Sequence, residues 1–280
     1  MVTRTMDGRV YTTSRELEKR NRMKTLRKLL LGLGIGIVMV VGARESSADV
    51  RPVLVELFTS QGCSSCPPAD EFAVRLSAET EDVLVVTLPV DYWDYLGWKD
   101  TLASPEFTSR QRLYAAIQGK SRVYTPQIMV DGKADVVGSR EGVVRRIIER
   151  RREILATGSG AEAGLRISRE ADGSVQAHVS SGLVGADSAT LWLVRLRGQV
   201  PIDIGRGENR GRTVTYANVA REMVPLGRWY GGGWTVDVPL EGGEASDGIA
   251  LILQADESGR RGIGEVLGTV WVKHPSPTES

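Results

Sequence analysis

The apolar positions between residues 51 and 155 change their period from one segment to the next, and each change marks an element. Val53 to Thr59 is a nearly unbroken apolar run, the pattern of a strand buried on both faces. Pro67-Pro68 sits where a helix can begin, because proline has no N–H to leave unpaired in a first turn, and Ala69 to Glu79 continues it. Val83 to Val90 is a second apolar strand. Ser104-Pro105-Glu106 then opens a second helix with Ser104 as its cap, running to about Gln118 and stopping at Gly119. Gln127 to Val130 and Ala134 to Gly138 form a hairpin about Asp131-Gly132, a dipeptide that tolerates positive φ. A charged helix follows, capped by Ser139, with Val143, Ile147, Ile148 and Leu155 as its apolar stripe. The order β-α-β-α-β-β-α predicts an α/β layer structure.

After Ala156 to Gly160, a linker by composition, strand-like alternation replaces the helical period. The candidate strands are Gly164 to Arg169, Val175 to Ser181, Ala189 to Leu196, Thr213 to Met223, Trp234 to Val238, Ile249 to Ala255 and Glu265 to Val272. Short strands separated by turns rich in Gly and Asp predict an all-β, antiparallel sandwich-like domain. The expected division is therefore a leader over 1–48, an α/β domain over 49–157 and an all-β domain over 158–275.

The leader changes the picture most. Arg20, Arg22, Lys24, Arg27 and Lys28 precede the uncharged run Leu29 to Gly42, and Ser46-Ser47-Ala48 puts small residues where a signal peptidase cuts. The run is short of the ~20 apolar residues of a spanning helix. A start at Met23 would make a leader of ordinary length, and the mature chain would begin near Asp49, in the periplasm or secreted, with no later span. An uncleaved anchor is the alternative. Residues 1–48 hold ten Lys/Arg against four Asp/Glu, so the net charge of +1 leaves the remainder acidic. Without a basic stripe, nucleic acid is not an expected partner. With 41% hydrophobic and 25% charged residues, the 280-residue chain is of globular rather than disordered composition.

Cys63 and Cys66 are the only cysteines. In an exported chain a pair this close is first a dithiol or disulfide. The ring it closes is small and gains little chain entropy, so structure alone is a weak reason to keep it. Following a strand and opening a helix, the pair would place Cys63 at the helix N-terminus, accessible, where N–H groups and the dipole favour a thiolate. Cys66, one turn into the helix, would be the protected, resolving thiol. A static disulfide remains the alternative. Metal binding is the other: the only histidines, His178 and His274, lie far along the chain, which leaves zinc short of ligands but does not exclude copper(I).

The element order, the strand-CxxC-helix junction and Thr125-Pro126 before the third strand resemble the thioredoxin fold. Val55 to Asp70, the Asp91-Tyr92-Trp93-Asp94 to Gly97-Trp98 segment, Tyr124-Thr125-Pro126-Gln127 and the Gly207 to Arg212 loop are similar to an exported bacterial family catalogued as domain of unknown function 1223. The thioredoxin resemblance implies that Pro126 is the cis-proline beside the dithiol, leaving the Thr125 backbone to pair with a substrate chain. It implies that Glu56 is the buried acid accepting the proton of Cys66. The sequence departs from that pattern by one extra residue before Cys63, by Gly62 in place of an aromatic, and by the absence of proline from Ser64-Ser65. An ion pair for Glu56 and an ordinary trans Pro126 are the plainer alternatives.

Parallel strands end on one side of their layer, so the loop after Val90 is expected beside the dithiol, with Asp91, Trp93 and Trp98 as a substrate-binding rim. Packing between the two domains is the rival role for these aromatics, and a solvated turn is the rival role for Gly205 to Arg212. The expectation is a thiol-disulfide oxidoreductase with protein thiols or disulfides as substrates and no cofactor. The alternatives are a thioredoxin-fold binding module with a static disulfide and a copper-handling accessory protein.

Overall fold

The computed structural model describes residues 51–158, 164–181, 186–240, 246–257 and 259–273. The expected leader, the start near Asp49, Ser159 and Gly160 of the linker, and His274 lie outside these residues.

β1 (Val53–Thr59) pairs in parallel with β2 (Val83–Pro89) on one side and antiparallel with β3 (Gln127–Val130) on the other, and β3 turns into β4 (Ala134–Val137). All seven residues of β1 and of β2 are buried, as strands covered on both faces must be. Side chains alternate between those faces. Val53, Val55 and Leu57 pack with α1 (Pro67–Glu79) and α3 (Glu141–Ala156), while Leu54 and Phe58 pack with Phe107 and Tyr114 of α2 (Pro105–Ile117).

The local chemistry of α2 agrees with its sequence: Ser104 accepts from the Glu106 N–H, and Pro105 occupies the first turn. In α3 the cap position belongs to Arg140, with no side-chain capping bond, instead of the expected Ser139. The cause is the preceding turn, in which the Arg140 N–H bonds the Val137 carbonyl at 2.9 Å and delays the helix by one residue.

The second half of the chain is all β and packs a small antiparallel sheet against a larger one, but the larger sheet is not its own. β7 (Ala189–Asp203) and β8 (Thr213–Trp229) are longer than their apolar patterns, and with β10 (Gly248–Ala255) and β11 (Val266–Lys273) they continue the first sheet in the order β11-β10-β7-β8-β2-β1-β3-β4. β8 meets β2 in parallel at one residue pair, Thr87 opposite Val219, reinforced by the Thr87 hydroxyl donating to the Ala217 carbonyl at 2.6 Å. β5 (Leu165–Arg169), β6 (Val175–Val179) and β9 (Trp234–Asp237) form a small antiparallel sheet. Its Val175, Ala177 and Val179 pack against Leu191, Leu193, Leu251 and Leu253 of the large sheet. Strands from both sides of residue 158 thus share one mixed sheet, and the described residues form a single compact unit.

Two buried ionic networks tie the layers. Asp131, in the β3–β4 turn, accepts from the Leu54 N–H and pairs with Arg51 and Arg151, while Arg151 also reaches Glu265. Glu56 pairs with Arg110 of α2 at 2.7 Å and accepts from the Tyr114 hydroxyl at 2.5 Å; Gln254 of β10 contacts both Arg110 and Tyr114.

Candidate functional site around Cys63 and Cys66

β1 ends at Thr59, and the turn Ser60-Gln61-Gly62 delivers Cys63, whose N–H bonds the Ser60 carbonyl at 3.1 Å. Cys63 and Cys66 are joined in a disulfide with their Cα atoms 5.5 Å apart. The helix starts at Pro67, where the proline pair predicts it, so Cys66 is its cap residue rather than one turn in, and Cys63 lies in the turn ahead of it. That removes the expected source of thiolate stabilisation. Pro67 and Pro68 have no N–H, and the N–H groups of Ala69 and Asp70 both bond the Cys66 carbonyl, at 2.8 and 3.1 Å. The group next to the Cys63 sulfur is instead the Ser65 hydroxyl, at 3.4 Å.

Nor is Cys63 accessible as expected. It is 3% exposed and Cys66 is fully buried, while Ser64 and Ser65 between them face solvent. The turn ahead of the pair is held by neighbouring segments. Trp93 lies so close to Gly62 that a Cβ there would stand 3.2 Å from both its Cβ and its carbonyl oxygen, which accounts for a glycine at that position. The Trp93 indole donates to the Thr125 hydroxyl at 2.7 Å, linking the rim to the Thr125-Pro126 bond, which is cis. Pro126 is buried and lies against the same point as Ala69 of α1: a Cβ on Gly138 would meet both, at 3.3 and 3.1 Å.

Trp98 donates its indole N–H to the Gln61 side chain at 2.7 Å. Trp93 stacks on Tyr95, which is 77% exposed, but Trp93 itself is half-buried against a core cluster drawn from both halves of the chain, and Trp98 packs on Val200, Val214 and Tyr216 of β7 and β8, so these two aromatics do pack between the halves. Asp91 belongs to the rim in sequence but not in orientation; its carboxylate accepts from the Thr108 hydroxyl at 2.6 Å and fastens the loop to α2.

Glu56 is not behind Cys66. It shares the Leu54 and Phe58 face of β1, opposite α1, and its carboxylate is engaged by Arg110 and Tyr114. The acid on the cysteine side is Asp70, which the sequence reading missed. It follows Cys66 by four residues, hence lies on the same face of the helix, and it is completely buried. Its one side-chain partner is the Thr59 hydroxyl, at 2.7 Å, and its second oxygen has none among the described residues. Burial, with smaller contributions from the charges of Asp100 and Glu71, holds its carboxyl well above the usual range despite the Thr59 bond. Asp100 is also raised by burial, and it accepts from the Gln61 and Leu102 N–H groups. Tyr216 of β8 has a buried hydroxyl without a hydrogen-bond partner among the described residues; burial and the charges of these two acids raise its pKa. A carboxylic acid at i+4 from the second cysteine was the available signal for Asp70. Asn209 lies in the Gly207 to Arg212 loop that carries part of the family resemblance, but nothing in the sequence marked its inward role: it donates to the carbonyls of Gln61 and Cys63.

Among the described residues, no group of three or more His, Cys, Asp or Glu is placed to hold a metal ion, and no helix is long and apolar enough to cross a membrane.

A family model described as Protein of unknown function (DUF1223) matches residues 54–254. The chain is similar to the crystal structure of a structural-genomics target from Agrobacterium tumefaciens, with 29% identity and a TM-score of 0.67 over 83% of this chain and 99% of that one. It also resembles in fold HBP35 of Porphyromonas gingivalis, at 14% identity and a TM-score of 0.50 over 82% of this chain and 78% of that one. No curated protein matches it significantly.

Proposed function

The chain belongs to the family described as Protein of unknown function (DUF1223), and from the arrangement at Cys63 and Cys66 we propose that it is an exported thiol-disulfide oxidoreductase with a thioredoxin-like dithiol unit. The observation that carries this reading is the pairing of a disulfide at a strand-to-helix junction with a buried acid one turn along the same helix, Asp70, whose carboxyl burial holds well above the usual range. A bridge kept only for stability has no use for such an acid.

The chemistry balances as follows. A substrate thiolate attacks the Cys63 sulfur, the Cys63–Cys66 bond breaks, and Cys66 leaves as a thiolate that takes the proton of Asp70. A second substrate thiolate then attacks the mixed disulfide and releases Cys63 as a thiolate with the Ser65 hydroxyl beside it. Two electrons pass from a substrate dithiol to the cysteine pair, and the reverse sequence passes them back. Trp93 packs on Gly62 and bonds Thr125, and Trp98 bonds Gln61; with Pro126 they would offer an aromatic surface and a backbone segment to an extended polypeptide substrate. The leader pattern and a lone, closely spaced cysteine pair placed to bond both favour an oxidising compartment, periplasmic or extracellular.

The burial of both sulfurs favours a second reading, a binding module whose disulfide stays closed. One pair of variants decides between them. Under the oxidoreductase reading Cys66→Ser accumulates mixed disulfides with protein partners in the exported fraction and Cys63→Ser accumulates none. Absence of mixed disulfides from both, together with a reduction potential below about −300 mV, would establish the static bridge.

A further inference from the structure

β7 and β8 run on past the body of the sheet as a two-stranded arm, closed at its tip by bonds between Ile204 and both Gly211 and Arg212. The tip rests on the Trp98 rim. Gly207, at φ +76°, approaches so closely that a Cβ would stand 3.1 Å from the Trp98 Cβ, and a Cβ on Gly205 would meet the Trp98 ring at 3.3 Å. Arg206, Glu208, Arg210 and Arg212 project outward and are exposed, as a solvated turn requires. Asn209 does the opposite. It is 1% exposed, and its amide nitrogen donates to the Gln61 carbonyl at 2.9 Å and to the Cys63 carbonyl at 2.8 Å. Its amide oxygen is buried without a partner among the described residues. An asparagine kept for packing alone leaves no buried oxygen unpaired; this one is held for its two donors.

We propose that Asn209 is a positioning residue of the dithiol and that the arm tip controls which thiols reach the Cys63 sulfur. This rests on the oxidoreductase reading of the same site. The two bonds fix the backbone that presents Cys63, and the tip lies over the Gly62–Cys63 turn together with Trp98. In-line attack on the sulfur of a residue only 3% exposed requires the cover to part, and parting it breaks both Asn209 bonds, leaving the Cys63 carbonyl with the Cys66 N–H alone. Opening is therefore a minor state whose population sets the rate, and a bulky attacking thiol needs more of it than a small one. Because coupling between sites is reciprocal, opening the disulfide must also loosen the tip.

The test reduces the oxidised full-length protein, in wild-type and variant form, with dithiothreitol and separately with a reduced protein dithiol, and counts thiols against time. Asn209→Asp keeps the shape and replaces both donors with acceptors facing carbonyls; Asn209→Ala removes them. Both are expected to speed reduction by dithiothreitol about tenfold, the loss expected from one well-made hydrogen bond. The gain should be larger with the protein dithiol. Glu208→Ala, exposed on the same tip, should change neither rate. Unchanged rates in folded Asn209→Asp and Asn209→Ala overturn the proposal.

If those variants fail to fold, hydrogen exchange on the wild-type protein decides. The amides of Gly207 to Arg212 should exchange faster in the dithiol form, and equal exchange in both forms overturns the proposal. The trapping experiment fails separately: Asn209 variants that alter reduction while Cys66→Ser captures nothing would leave the positioning intact and remove the enzymatic reading.

Discussion

The hydroxyl of Thr59, the last residue of β1, donates to Asp70 across 2.7 Å, and Asp70 has no second partner among the described residues. Burial makes that carboxyl hold a proton more tightly than usual, on the helix face that also bears Cys66.

Asp70→Asn should keep the fold and slow both the release and the re-closure of Cys66. General acid-base assistance contributes typically 10²- to 10⁴-fold, so a loss of about a hundredfold in single-turnover thiol exchange is expected, with a flattened pH profile. An unaltered rate and profile would remove Asp70 from the chemistry.

The same residue sets a pH dependence of stability. Its folded pKa is raised above the unfolded value, chiefly by burial. The native state is therefore favoured at pH below about 4, and this advantage is lost as the pH rises through the unfolded value toward the raised folded one. Asp70→Asn should be more stable than the parent at neutral pH, with the gap closing on acidification. Thermal melts at several pH values measure it; a gap that widens toward low pH would contradict the assignment.

Ser65 is the hydroxyl nearest the Cys63 sulfur, at 3.4 Å. Since Pro67 and Pro68 leave the helix start poor in free N–H groups, Ser65→Ala should cost the Cys63 thiolate its nearest donor. Alkylation of the reduced protein at neutral pH should slow roughly threefold to tenfold, the effect of one hydrogen bond to a charged atom. A Cys63 as reactive in the variant as in the parent would shift that role to another group.

Glu56→Gln should separate structure from chemistry. Removing one partner of a buried ion pair typically costs about 3 to 5 kcal/mol, so the midpoint of urea unfolding should fall sharply. Thiol exchange at temperatures where the variant stays folded should be unaffected, because Glu56 faces α2 rather than α1. A selective loss of exchange would restore it to the site.

Trp93→Ala should weaken capture of protein partners by Cys66→Ser several-fold, as loss of an aromatic anchor does, and leave the reduction potential nearly unchanged. Pull-down yield and a glutathione titration read the two effects. Equal capture with and without Trp93 would move the substrate surface elsewhere.

The elements of the first half were legible because β1, β2 and the three helices are each specified locally, by apolar runs, by Ser104 with Pro105, and by Asp131-Gly132. What escaped was pairing between distant segments. The apolar pattern of β8 records that its residues are buried, but not that Val219 lies opposite Thr87. Alternation along β1 groups Glu56 with Leu54 and Phe58, yet does not say which helix covers that face. Asn209 sits among charged neighbours, and nothing in its surroundings distinguishes an inward amide from a solvated one.

The contact of β2 with β8 through one residue pair carries a consequence for any attempt to isolate the cysteine half. A chain cut at residue 158 would keep β1 to α3 and would uncover the outer edge of β2, whose segment Val-Leu-Val-Val-Thr-Leu-Pro is buried throughout its length. An exposed, uncharged strand of that composition is a template for strand addition between copies. The β-rich half therefore acts as a guard against self-assembly as well as a part of the fold, and the fragment bearing the disulfide is expected to aggregate rather than serve as a minimal redox module.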